Sequence, residues 1–204
     1  MFHWSSVLQL HFFGTLKQAS LTLQKNLLNQ NNVLMKKTIL MYWPVAGNVE
    51  SCAKIIGEEY QNVEIKSIDH VSEADLNEAE CFILGCSTVG SETWESDTNN
   101  DPWPKFFKQL DSINLTQKSV ALFGLGDQIR WPRHFVDGMA VLYEQFAKKG
   151  AKIVGRWSVD GYHHEESEAM EGDFFVGLAL DQDHQAELTA PRVSAWVKQI
   201  KAEF

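Results

Sequence analysis

From Met35 onward, short apolar runs alternate with segments whose apolar residues recur at helical spacing. That alternation constrains the fold more than any other feature of the chain. Residues 38–43, 63–68, 81–85 and 120–123 read as strands, and 151–157 and 174–180 as two parts of a fifth. Between them, 48–60 places Val49, Cys52, Ala53 and Ile56 on one helical face, with Asn48 as the cap. Residues 104–110 open on Pro104, 135–149 end at Gly150, and 188–201 close the chain; all three read as helices. Strands alternating with helices of this length predict a three-layer, doubly wound α/β fold around a five-stranded parallel sheet with right-handed crossovers. No helix-period segment lies between Trp157 and Phe174, so the last strand is expected to be split by a long insertion.

Open sheets of this kind bind ligands where strands deliver loops at their carboxyl ends. The strand 120–123 empties into Gly124-Leu-Gly126, and Asp127, Gln128 and Trp131 follow at once. Glycines let the backbone approach a flat ligand closely. A carboxylate, an amide and an indole beside them point to a planar, heteroaromatic ligand. Asp127 has no paired nucleophile or acid in the sequence, and no Gly-x-Ser-x-Gly, HExxH or Walker pattern is present, so no catalytic residue is assigned.

Composition bounds the remaining classes. The 204 residues carry a net charge of −9 with no Lys/Arg cluster, which argues against nucleic acid. No run approaches the roughly 20 apolar residues that span a bilayer. Cys52, Cys81 and Cys86 form no CxxC pair and read as buried, reduced thiols of a cytoplasmic protein. His163 and His164 are adjacent, so they point apart and read as a polar loop rather than a metal site. Residues 1–34 contain Lys17 and Lys25 but no Asp or Glu. That leaves 16 of the 18 basic and all 27 acidic residues in 35–204, a net of −11. The asymmetry marks 1–34 as an N-terminal extension outside the domain 35–204, arising from a start codon upstream of a natural start at Met35 or forming a frayed helix over 16–28.

The domain resembles a long-chain flavodoxin. The resemblance rests on Val120-Ala-Leu-Phe-Gly-Leu-Gly-Asp-Gln128, His134-Phe-Val-Asp-Gly-Met-Ala140 and Gly150-Ala-Lys-Ile-Val-Gly-Arg-Trp157. Asp160-Gly-Tyr162 and Phe175-Val-Gly-Leu-Ala-Leu-Asp181 match the interrupted last strand of such proteins. The resemblance implies noncovalently bound FMN and single-electron shuttling between partner proteins by a monomer. It places Gly124, Leu125, Gly126, Asp127 and Gln128 against the flavin's pyrimidine edge and Trp131 on the ring face. Ser87, Thr88, Val89 and Gly90 become the second flavin-facing loop, and Pro44, Val45, Ala46, Gly47, Asn48 and Val49 the phosphate loop.

That phosphate loop departs from the family pattern. The family has a hydroxyl-rich turn, and here every hydroxyl is replaced, by Pro44, Val45, Ala46 or Val49. Pro44 also removes a backbone donor. Losing several charge-assisted hydrogen bonds at about 1.5–3 kcal/mol each would weaken phosphate binding by orders of magnitude. Val89 stands where many members have Trp, and Trp94 is a candidate substitute. Two readings follow: a flavodoxin that holds FMN weakly through its ring, or a flavodoxin-fold protein that has lost FMN and binds another flat ligand. Glu165, Glu166, Glu168, Glu171 and Asp173, extended by Asp181 and Asp183, read as a solvated surface or as a docking patch for basic redox partners.

Overall fold

The computed structural model describes residues 36–89, 91 and 101–204. In chain order the elements begin β1 (Thr38–Trp43), α1 (Gly47–Tyr60), β2 (Glu64–Ser67), α2 (Glu73–Glu78), β3 (Cys81–Ser87) and α3 (Pro102–Leu110). They continue β4 (Ser119–Leu125), α4 (Gly138–Lys148), β5 (Lys152–Val154), β6 (Trp157–Ser158), β7 (Met170–Glu171), β8 (Phe174–Phe175), β9 (Leu178–Leu180) and α5 (Thr189–Glu203). The main sheet is parallel, in the order β2-β1-β3-β4-β5, with β9 also on β4.

Successive residues of β1, β3 and β4 face opposite ways, so each strand feeds two cores. Ile39, Met41, Phe82, Leu84, Val120 and Leu122 pack with α3 and α4 on one face. Leu40, Tyr42, Ile83, Ala121 and Phe123 pack with α1 and α5 on the other. Burial on both faces explains why these strands read as unbroken apolar runs rather than alternating ones.

The split fifth strand is visible in the register. β5 pairs with Ser119, Val120 and Ala121, whereas β9 pairs with Phe123, Gly124 and Leu125 of the same strand. The break is wider than the apolar runs suggest. Gly155, at φ +80, turns the chain out of the sheet. Trp157–Ser158 and Phe174–Phe175 instead pair antiparallel with each other, and Met170–Glu171 completes that small sheet. Re-entry occurs at Gly177, where an added Cβ would lie 2.2 Å from the Leu122 carbonyl oxygen. Only glycine lets the two backbones meet there.

Two helix starts differ from the sequence reading. The N-cap of α1 is Ala46, with no side-chain hydrogen bond, so Asn48 lies within the first turn rather than capping it. The helix expected from residue 135 begins at Gly138, because Val136 sits at φ 55 and interrupts it. The three cysteines are free and buried, as expected.

Candidate functional site

One cavity of about 850 Å³ opens at the carboxyl end of the sheet, where the loops after β1, β3, β4 and β9 converge. It is within the usual range for small-molecule sites. Pro44, Ala46, Gly47, Asn48 and Val49 line one end. Val45 is exposed and outside the lining. Ala46 has φ 66 and ψ 165, a conformation almost confined to glycine, and Gly47 follows at φ +73. The Ala46 N–H donates to Glu50 Oε2 at 2.6 Å, and the Ser51 hydroxyl donates to the Gly47 carbonyl at 2.9 Å. Lys54 lies 2.7 Å from Glu50 Oε1. The Lys54 ammonium and the Ala46 N–H hold the Glu50 carboxyl below its ordinary range. The polar groups of this loop therefore bond largely among themselves.

The end of β3 forms the middle of the wall. Ser87, Thr88 and Val89 all line the cavity. The Thr88 N–H and hydroxyl both donate to the Leu125 carbonyl, at 3.2 and 3.3 Å, tying this loop to β4. The Val89 N–H donates to Ser87 Oγ at 3.3 Å, and its side chain is 85% exposed. Gly90 and Trp94 lie outside the described residues.

Leu125, Gly126, Asp127 and Trp131 line the other end. An added Cβ at Gly126 would meet the Val136 nitrogen at 2.8 Å, so glycine lets this strand pass the Val136 backbone. Asp127 Oδ1 accepts from the N–H groups of Ile129 at 3.0 Å and Arg130 at 2.7 Å, and His184 Nε2 stands 3.1 Å away. Burial alone would push the Asp127 carboxyl up. The two N–H groups and the charges of His184 and Arg130 outweigh it, so the group is held below its ordinary range. Oδ2 is buried without a hydrogen-bond partner among the described residues; Arg130 Nε is 3.7 Å away. Trp131, whose N–H donates to the Asp127 carbonyl at 3.0 Å, presents a 59% exposed indole at the rim.

Gly124 and Gln128 are not brought to the cavity. Gly124 backs onto Met139. Gln128 is 1% exposed, and its N–H and Nε2 donate to Asp181 Oδ2 at 3.2 and 2.9 Å. Its Oε1 accepts from the His163 N–H at 2.5 Å, which joins the β4 loop to the insertion. Asp181 corrects the sequence reading. It is fully buried and adds nothing to an acidic surface. Its Oδ1 accepts from the N–H groups of Asp183 and His184, both at 2.9 Å, so this carboxylate clamps the loops after β4 and β9 together.

Sequence reasoning missed Arg130, His134, Asp137, Glu168, Gln182 and Asp183, all in the lining. The signal for the last two was their place directly after a strand end beside β4. Glu165, Glu166, Glu168, Glu171 and Asp173 are exposed on the insertion, with Glu165 paired to Arg133 at 2.9 Å. His164 Nε2 lies 3.0 Å from Met170 Sδ, and burial lowers the His164 pKa. Among the described residues no three His, Cys, Asp or Glu side chains group to hold a metal, and no helix is long and apolar enough to cross a membrane.

The family model for Flavodoxin matches residues 40–196. A flavodoxin of a Nostoc species is 40% identical over 174 residues, which cover 84% of this chain and 99% of that relative. Flavodoxin 1 of Escherichia coli is 37% identical over 173 residues, covering 83% of this chain and 96% of that relative. The crystal structure of Fusobacterium nucleatum flavodoxin bound to flavin mononucleotide matches with a TM-score of 0.73 at 31% identity, over 83% of this chain and 99% of that one.

Proposed function

The chain belongs to the flavodoxin family, and on that premise we propose that its cavity holds FMN and that the protein carries single electrons between partner proteins. It is an electron-transfer protein rather than an enzyme. The observation that supports the reading most is the convergence of the strand-end loops on one cavity whose β4 end combines bare backbone, an orphaned buried acceptor and an exposed indole. FMN, when bound, supplies a centre that takes up and releases one electron at a time. The alternative of a flavodoxin-fold protein without FMN is not favoured, because relatives near 40% identity over almost their full length are flavodoxins.

The chain's own residues supply position and field. Leu125 and Gly126 give a flat backbone wall. Trp131 is the stacking partner, which is worth about 0.5–1.5 kcal/mol beyond the area it buries. Asp127, in the lining, sets a carboxylate beside the ring that opposes added negative charge on it. Val89 covers part of the second face.

The same reading extends to the rest of the molecule. The partner surface is basic, steered by the exposed carboxylates at 165–173. The protein works as a monomer in the cytoplasm. Residues 1–34 lie outside the domain, in keeping with relatives whose 99% coverage needs only 84% of this chain. The test is to add FMN to the purified protein and reduce it stepwise under visible absorption. A bound-flavin spectrum that takes up two electrons in two resolved steps is expected. No spectral change on adding excess FMN would overturn the reading.

A further inference from the structure

We propose that the α1 end of the cavity is built for an uncharged ligand terminus, so that the phosphate of FMN adds little to binding and riboflavin binds nearly as well. The inference rests on the flavin reading above. Its starting point is the bonding inside the loop rather than the loop's composition alone. A dianion at a helix N-terminus needs free donors and, in a protein, often hydroxyls or a cation. Here Pro44 has no N–H. The Ala46 N–H is taken at 2.6 Å by the Glu50 carboxylate of the same helix.

Glu50 is itself the anion at this helix end. Lys54, one turn further on, pairs with it at 2.7 Å, so this cation is already matched. The hydroxyl of Ser51 is turned to the Gly47 carbonyl at 2.9 Å and faces away from any such ligand. Among the described residues, the N–H groups of Val45 and of the start of α1 and the Asn48 amide remain at this end. Asp183, also in the lining, adds a further negative charge. A neutral hydroxyl terminus needs one or two such donors and suffers no repulsion from Asp183, whereas a dianion needs more donors and suffers it.

The test strips flavin from the full-length protein and titrates it with FMN and with riboflavin, following flavin fluorescence at one ionic strength. Dissociation constants within tenfold of each other, about 1.4 kcal/mol, support the inference. FMN binding more than tenfold tighter than riboflavin overturns it while leaving the electron-carrier reading intact. Binding of neither flavin overturns both. The Glu50→Gln variant keeps an acceptor for the Ala46 N–H and removes the charge. It is expected to tighten FMN severalfold more than riboflavin. Equal effects on the two flavins would place Glu50 away from the ligand tail and count against the proposal.

Discussion

The two ends of the cavity are built on different principles. At the α1 end, the backbone is held in a glycine-like conformation at Ala46, and its donors and charges close on one another through Glu50, Lys54 and Ser51. At the β4 end, Asp127 keeps an oxygen unsatisfied and Trp131 stands in solvent, while buried Asp181 and Gln128 hold the loop from behind. One end has spent its Ala46 N–H and Ser51 hydroxyl on itself, and the other retains an unpaired carboxylate oxygen. A buried acceptor left unpaired calls for an explanation, such as a bound group, a water or stored strain. On the proposed reading, recognition sits at the ring and the tail's charge is left ungripped.

The largest expected effect tests the β4 end. Trp131→Ala should lower flavin affinity by about 1–3 kcal/mol, through lost area and lost stacking. It should also raise the lower of the two reduction potentials, because stacking favours the oxidised, electron-poor ring. The melting temperature of the flavin-free protein should hardly move, since the indole is mostly exposed. Unchanged affinity by fluorescence titration would break the comparison at its stronger end.

A second effect tests the α1 end for strain instead of binding. Ala46→Gly relieves a backbone that L-residues resist. It should stabilise the flavin-free protein by up to about 1 kcal/mol, or roughly 2–4 °C in melting temperature. Flavin affinity should stay within about twofold, under roughly 0.5 kcal/mol. A drop in melting temperature would mean that this loop is not strained.

Acid should act on the β4 end more gently. Asp127 keeps its charge to lower pH in the folded protein than in the unfolded chain. Unfolding then takes up a proton, so this contribution is complete above pH 3.8, the ordinary Asp value, and is lost as pH falls through the depressed folded value. Asp127→Asn should flatten the acid limb of the melting curve, a shift of a few degrees at most near pH 3–4. An unchanged limb would show that its hydrogen bonds to Ile129 and Arg130 do not stabilise the carboxylate. Smallest of all, deletion of residues 1–34 should leave the melting temperature within about 2 °C, and a fall of more than about 5 °C would make them part of the fold.

The sheet was legible because its strands are buried on both faces and read as apolar runs between helical segments. The split strand was legible as two runs, but its edges were not, since Gly155 and Gly177 act through backbone geometry that a hydropathy pattern does not carry. The six-residue α2 buries Leu76 and little else, so periodicity passed over it. Its trace was the capping box of Ser72 and Asp75. Within the site, most of the residues expected from the motif runs do line the cavity. Asp181 was read as surface because charge is normally exposed. Its burial is made tolerable by donors from Gln128, across 53 positions of sequence, and from Asp183 and His184. The Glu50 contact joins neighbours on one helix turn, yet only the backbone angle at Ala46 aims that N–H at it.

The phosphate itself offers the most direct test of the asymmetry between the two ends. Phosphorus NMR of FMN bound to the protein, titrated from pH 5 to 8, reports whether that group is gripped. A phosphate left to solvent ionises near its ordinary second pKa of about 6, and the account predicts a bound signal that moves through this range as free FMN does. A signal that stays fixed as a dianion across the whole titration would contradict it, because the α1 end would then be holding the charge that its engaged donors are argued to leave ungripped.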